Sequence, residues 1–205
     1  MIKTCEDFGH KTGLEFNSKK TVCILFHQLG HCNDTNTPNV YLNDKALKWC
    51  QHVKHLGHIM SCCSDFEKDV VNKKGNFIAY VNDIISEFAS AHPTVKCKLL
   101  QIYGTSFYGS CLWNLYGAAT KSLFTTWNIA IRKLTGVPYR THTRLLDFIS
   151  DLKHVKFSLK RRFLCFTQKL LKSKNTLIQI LPMFPFLMRS HPLVLLYLGL
   201  CVNII

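Results

Sequence analysis

The sequence predicts an α+β chain, with a small antiparallel β part followed by a mostly α-helical bundle. Two patterns and one bulk property carry that expectation. Up to about residue 60, β-branched and aromatic residues occur in short runs separated by turn residues. From Phe66 onward, apolar residues recur at spacings of three, four and seven, the period of a helix with one buried face. Of the 205 residues, 47 % are hydrophobic and 19 % charged, enough apolar material for a core.

Taken in order, residues 1–12 read as the end of a helix closed by Gly13. Residues 21–26 (TVCILF) read as a strand, and 28–39, rich in Asn, Asp, Gly and Pro, as a loop. Val40-Tyr41-Leu42 is a short strand, and Asn43-Asp44 a tight turn. Residues 49–60 hold another strand that runs through His55-Leu56-Gly57-His58-Ile59. Ser64 and Glu67 form a capping box for a long helix whose inward stripe is Phe66, Val70, Phe77, Val81, Ile84 and Phe88. His92-Pro93 is expected to end it. A second helix is expected from Thr94 to Leu115, with Leu99, Ile102, Tyr103, Phe107, Cys111 and Trp113 inward and weak points at Gly104 and Gly109. A third runs from Thr120 to Thr135 with Leu123, Trp127, Ala130, Ile131 and Leu134 inward, stopped by Gly136-Val137-Pro138. Helical stretches follow near Thr143–Asp151 and Ser158–Leu171.

Charge divides the chain sharply. Lys+Arg and Asp+Glu balance at 10 each through Glu87, whereas 16 cations face 2 acids, Asp147 and Asp151, from Phe88 on. The whole net charge of +14 therefore lies in the second part, which points to a polyanion as partner. Lys153, Lys156, Lys160, Arg161, Arg162, Lys169, Lys172 and Lys174 fall in one acid-free stretch with Phe157, Phe163 and Phe166 interleaved. Cations so placed can displace counterions from phosphates, and exposed aromatics can stack on bases. The competing reading of the three Phe residues, as the buried stripe of a helix, is the favoured one.

Hydrolytic and nucleotide-cradling motifs (Gly-x-Ser-x-Gly, Gly-x-Gly-x-x-Gly, Gly-x(4)-Gly-Lys) are absent. Asp65 and Asp69, four apart, are better read as charges at a helix N-terminus than as metal ligands. Cys23, His27, His31, Cys32, Cys50, His52, His55, His58, Cys62 and Cys63 are zinc-type ligands, but their spacings match no familiar finger, ribbon or ring pattern. The first residues have no apolar signal region, so the ten cysteines are expected as free thiols in an intracellular protein of nucleus or cytoplasm. Residues 178–188 and 192–205 are apolar but are broken by Arg189 and by Pro182, Pro185 and Pro192. Membrane association is therefore not expected, though a basic protein anchored by this tail is the alternative function.

Several segments, in this order, resemble the C-terminal part of the reverse transcriptase of LINE-type (non-long-terminal-repeat, jockey-like) retrotransposons. Gly13-Leu14-Glu15-Phe16-Asn17-Ser18-Lys19-Lys20-Thr21 is similar to the stretch that follows the family's polymerase active site. Lys54-His55-Leu56-Gly57-His58-Ile59 is similar to its primer grip, with His55 replacing the usual aromatic. Residues 102–113 (IYGTSFYGSCLW) resemble its Tyr-x(4)-Tyr-Gly-x-x-Leu-Trp helix, and residues 127–138 with 141–146 resemble the segment after it. The resemblance covers residues 1 to about 175.

It implies a layout: the end of a palm at 1–60, a helical thumb at 64–135, a basic connector at 136–176, and an unassigned apolar tail at 177–205. It implies an RNA or DNA template-primer as partner, with Lys20 near the incoming nucleotide and Leu56 and Gly57 at the primer end. Phosphate contacts are expected from Arg132, Lys133, Arg140, Arg144, Lys160, Arg161 and Arg162. The complete enzyme would need Mg²⁺ held by paired aspartates. No Asp-Asp dipeptide occurs in this sequence, and the family's fingers and upstream palm are missing from it. The chain is accordingly expected to be a catalytically inactive partial enzyme, with no cofactor, catalytic residue or metal site of its own.

Overall fold

The computed structural model describes residues 2–26, 37–62 and 66–175, which fall into two compact units divided after Asp65. The α+β expectation holds: short strands come first and helices follow. In the N-terminal unit, α1 (Ile2–Thr12) ends before Gly13, as its sequence requires. The strand expected over 21–26 is only two residues long, β1 (Val22–Cys23). It pairs in parallel with β4 (Lys48–Trp49), Val22 opposite Lys48 and Cys23 opposite Trp49. This pair is parallel, beside the two antiparallel hairpins that make up the rest of the small β part. The chain between β1 and β4 is long enough for the crossover that a parallel pair needs.

That intervening chain holds a hairpin, β2 (Tyr41–Leu42) and β3 (Lys45–Ala46), antiparallel about Asn43-Asp44. Both turn residues have positive φ, 48° and 60°, the backbone of a two-residue turn whose twist suits the flanking strands. A second hairpin joins β5 (His52–His55) to β6 (His58–Ser61). Its turn is Leu56-Gly57, with φ of 47° and 81°. The continuous strand expected through residues 55–59 is thus a correction: the chain reverses at the glycine, the residue that takes positive φ without steric cost.

The helical unit opens with α2 (Glu67–Glu87). The expected capping box rests on Ser64, which, like Asp65, lies outside the described residues. Phe66 occupies the N-cap position without a side-chain acceptor, and Glu67 is the first helical residue. Val70, Phe77, Val81 and Ile84 are buried as the stripe predicts, Phe66 is partly buried, and Phe88 is exposed at the end. His92-Pro93 does not terminate α2, which has already ended. It begins α3 (Pro93–Leu99), with the His92 ring as the cap and Pro93 at the first helical position, where a missing N–H costs nothing.

The single helix expected over 94–115 is corrected. After α3 the backbone widens into a π-helical turn, Leu100–Gly104, and then leaves helical geometry until a 3₁₀ turn at Ser110–Leu112. Cys97, Leu100 and Gly104 face inward. Ile102 and Tyr103, expected inward, are 66 % and 60 % exposed. Phe107 and Trp113 are buried as expected, but an irregular segment delivers them. α4 (Ala118–Thr135) buries all five predicted residues and stops at Gly136, whose φ of 70° is the left-handed close of a helix. α5 (Thr143–Ser150) and α6 (Val155–Leu171) complete the unit.

The core lies between α2 and α4, its centre a run of rings. Trp127 stacks on Phe77 at 5.7 Å between centroids. Phe77 meets Phe107 at 6.0 Å, and Phe107 meets Trp113 edge-on at 5.8 Å. Trp113 Nε1 then donates to Asp69 Oδ2 at 2.8 Å, with Asp69 fully buried. Asp69 was expected as a charge suiting the α2 N-terminus. It lies in the first turn, and its carboxylate also fixes the indole. No described helix is long and apolar enough to cross a membrane, and residues 177–205 lie outside the described residues.

Candidate nucleic-acid interface

The predicted contact residues separate by unit. In the N-terminal unit, Asn17 builds a turn: its side-chain oxygen accepts from the amides of Lys19 (3.0 Å) and Lys20 (3.3 Å), and its carbonyl from Thr21 (3.0 Å). The turn displays Lys20 to solvent. Leu56, 74 % exposed, sits with Gly57 at the tip of the second hairpin. An open cleft in this unit is lined by Glu6, His10, Glu15 and Asn43, and Glu6 already accepts the Asn43 amide at 2.6 Å.

In the helical unit the cations fall into two kinds. Lys133, Arg140, Arg144, Lys160 and Arg161 are exposed. Arg132 and Arg162 are only partly so, because their guanidinium groups bind backbone. Arg132 donates through Nε (3.2 Å) and Nη2 (2.8 Å) to the carbonyl of Thr141, tying the turn after α4 back onto that helix. Arg162 donates through Nη1 to Phe107 O at 2.6 Å and through Nη2 to Thr105 O at 2.9 Å. A planar fork with several donors can span two carbonyls in this way. Arg162, expected as a phosphate ligand, thus holds the irregular 105–113 segment, with both of its terminal nitrogens bonded to backbone carbonyls.

Arg140 stands at the tip of the turn Pro138–Thr141, closed by Thr141 N to Pro138 O at 2.9 Å. Arg144 lies in the first turn of α5, and Lys160 and Arg161 lie on the outward side of α6. The inward side of α6 carries Val155, Leu159 and Leu170. Phe163 and Phe166 are half-buried beside it, while Phe157 is 59 % exposed. The favoured reading of the three Phe residues as buried stripe therefore fits Phe163 and Phe166 in part and fails for Phe157.

Helix capping by histidine was not legible beforehand. His92, His142 and His154 cap α3, α5 and α6, each Nδ1 accepting a backbone amide two residues on, at 3.3, 3.2 and 3.1 Å. The usual capping residues are Ser, Thr, Asp and Asn. An imidazole can replace them only while that nitrogen is unprotonated. Burial pushes the His154 imidazole below its ordinary 6.5, with Asp147 opposing and Lys156 reinforcing the shift. Its ring stands edge-on to Phe124 at 5.6 Å. The unfolded chain protonates this histidine near 6.5 while the folded chain keeps it neutral to a lower pH. Below that value the unfolded state binds more protons, so stability falls with pH through the window beneath 6.5. Melting curves across that window should show the loss. His154→Asn, which keeps a capping acceptor and does not titrate there, should flatten the curve and lose less on acidification.

Among the described residues, no group of three or more His, Cys, Asp or Glu side chains converges as a metal site would require. His27, His31, Cys32 and Cys63 of the zinc-type cluster lie outside the described residues. Cys5, Cys23, Cys50, Cys97, Cys111 and Cys165 are free thiols. No family model matches the chain, and no curated protein or solved structure matches it.

Proposed function

We propose that this chain is a nucleic-acid-binding part of an RNA-directed DNA polymerase of the LINE type, serving to hold a template-primer rather than to extend it. The observation that carries the reading is the exposed set Lys133, Arg140, Arg144, Lys160 and Arg161, in a region where 16 cations face 2 acids. Such a surface neutralises phosphates and releases counterions whatever the base sequence. The motif series described above supplies the polymerase assignment. With no Asp-Asp pair in these 205 residues, the proposal assigns them no polymerisation chemistry.

Fluorescence anisotropy against a labelled template-primer tests it, with affinity measured over a range of salt. The chain should bind with a steep negative log–log slope. Replacing Lys160 and Arg161 together by alanine should flatten that slope by about 1.8 if both touch phosphate of B-form DNA. Arg162 is left out of this test because its loss would disturb the fold. Salt-independent binding, or none, would defeat the proposal, and an unchanged slope in the folded double variant would move the contacts to Arg140 and Arg144.

A further inference from the structure

The α5 and α6 region displays aromatic rings in places where a folded domain normally hides them. Phe148, in the middle of α5, is 88 % exposed, and Tyr139, at the tip of the Pro138–Thr141 turn, is 81 % exposed. Phe157, in the first turn of α6, is also exposed. Each stands beside exposed cations. Tyr139 adjoins Arg140 in the turn. Phe148 lies four residues after Arg144, on the same helical face. Phe157 lies three and four residues before Lys160 and Arg161, again on one face. α5 buries its other side through Leu146 and Ser150, and α6 through Val155 and Leu159, so these rings are held outward by the packing of the helices that carry them.

We infer that Tyr139, Phe148 and Phe157 are stacking platforms for the bases of an unpaired strand, and that the ligand this surface prefers is single-stranded nucleic acid rather than duplex. The inference rests on the nucleic-acid-binding reading and adds the class of ligand. Cations alone do not choose between the two forms, because both present phosphates. Exposed rings do choose. A duplex keeps its base faces stacked within the helix, whereas an unpaired strand offers one face per nucleotide to any flat side chain. The repeated pairing of ring with cation fits a strand that threads its backbone past the charges while bases turn toward the rings. A protein partner would have use for the rings, but charge complementarity favours the polyanion: residues 139–174 hold ten Lys and Arg against two acids, Asp147 and Asp151, which flank Phe148.

The test compares binding of the full chain to an oligo(dT) strand and to a blunt duplex of equal length, at one salt concentration, using parent, Phe148→Ala, Phe148→Leu and Phe148→Trp. Because the ring is outside the core, all three variants should keep the parent circular dichroism spectrum. The parent should bind the single strand more tightly than the duplex. Phe148→Ala and Phe148→Leu should each lose about tenfold on the single strand and nothing on the duplex. Phe148→Trp should hold or improve the single-strand affinity, since it keeps a flat ring. Leucine holding the single-strand affinity of phenylalanine would show that a flat ring is not what binds the strand, and would overturn the inference. Equal affinity for strand and duplex, unmoved by any variant, would overturn it while leaving the nucleic-acid reading intact. Failure to bind either ligand would remove both.

Discussion

Replacing Trp113 by alanine is expected to cost about 3–5 kcal/mol, a large part of the stability of a domain of this size. Two effects add. The indole is 3 % exposed and packs edge-on against Phe107, so its removal leaves a cavity at the end of the ring series. It also withdraws a donor at 2.8 Å from the wholly buried carboxylate of Asp69. Weakening the solvation of a buried charge is expensive, because water is not there to replace the lost bond. Trp113→Phe separates the effects, since it restores most of the volume without the N–H, and should cost roughly 1–3 kcal/mol. Chemical denaturation of the parent and both variants checks this. If phenylalanine proved as stable as the parent, the Asp69 bond would contribute nothing.

Arg162→Ala is expected to lower stability by about 2–4 kcal/mol, while Lys160→Ala and Arg161→Ala, at its neighbouring positions, change it by less than about 0.5 kcal/mol. The difference follows from what each side chain touches. Arg162 supplies charged donors to Thr105 O and Phe107 O, the carbonyls that flank the point where the chain has left helical geometry. Its neighbours extend into solvent. Arg162→Lys should recover only part of the loss, because a single ammonium lacks the fork that spans both oxygens. Thermal melts of the four variants test this directly. Equal melting temperatures for Arg162→Ala and Arg161→Ala would mean that the clamp is dispensable.

These cases also mark how far the residue pattern could be read. α4 was legible because its inward residues, Leu123 to Leu134, keep a strict helical period and its stop is a glycine at φ 70°. The 105–113 segment was not. Its apolar residues mimic helical spacing, but what fixes it is a bond to Asp69, 44 residues away, and an arginine that follows it by 55 and 57 residues. Local spacing carries no trace of such partners. Gly109 inside that stretch and Gly104 just before it were the available warning. In the hairpin at 52–61, Gly57 was likewise a visible turn signal, overridden by the expectation of a continuous strand. Among the predicted contacts, exposure separates Lys160 and Arg161 from Arg162, although all three look alike in sequence. Phe148 was not singled out because it stands apart from the apolar side that Leu145, Leu146 and Ile149 form, and spacing assigns no role to a lone ring.

The Arg162 clamp has a further consequence for the order in which the chain can be completed during synthesis. A chain emerging from the ribosome can pair α2 with α4 once Thr135 is free, since those helices supply most of the central core. The segment between them is then still open on one side, because the residue that closes it arrives 55 positions after Phe107. That contact cannot form until α6 has been synthesised, whatever α2 and α4 have already done. A nascent chain halted before α6 would therefore hold its first helices together while the 105–113 segment stayed accessible to proteases and chaperones, and synthesis of α6 would be the event that seals it.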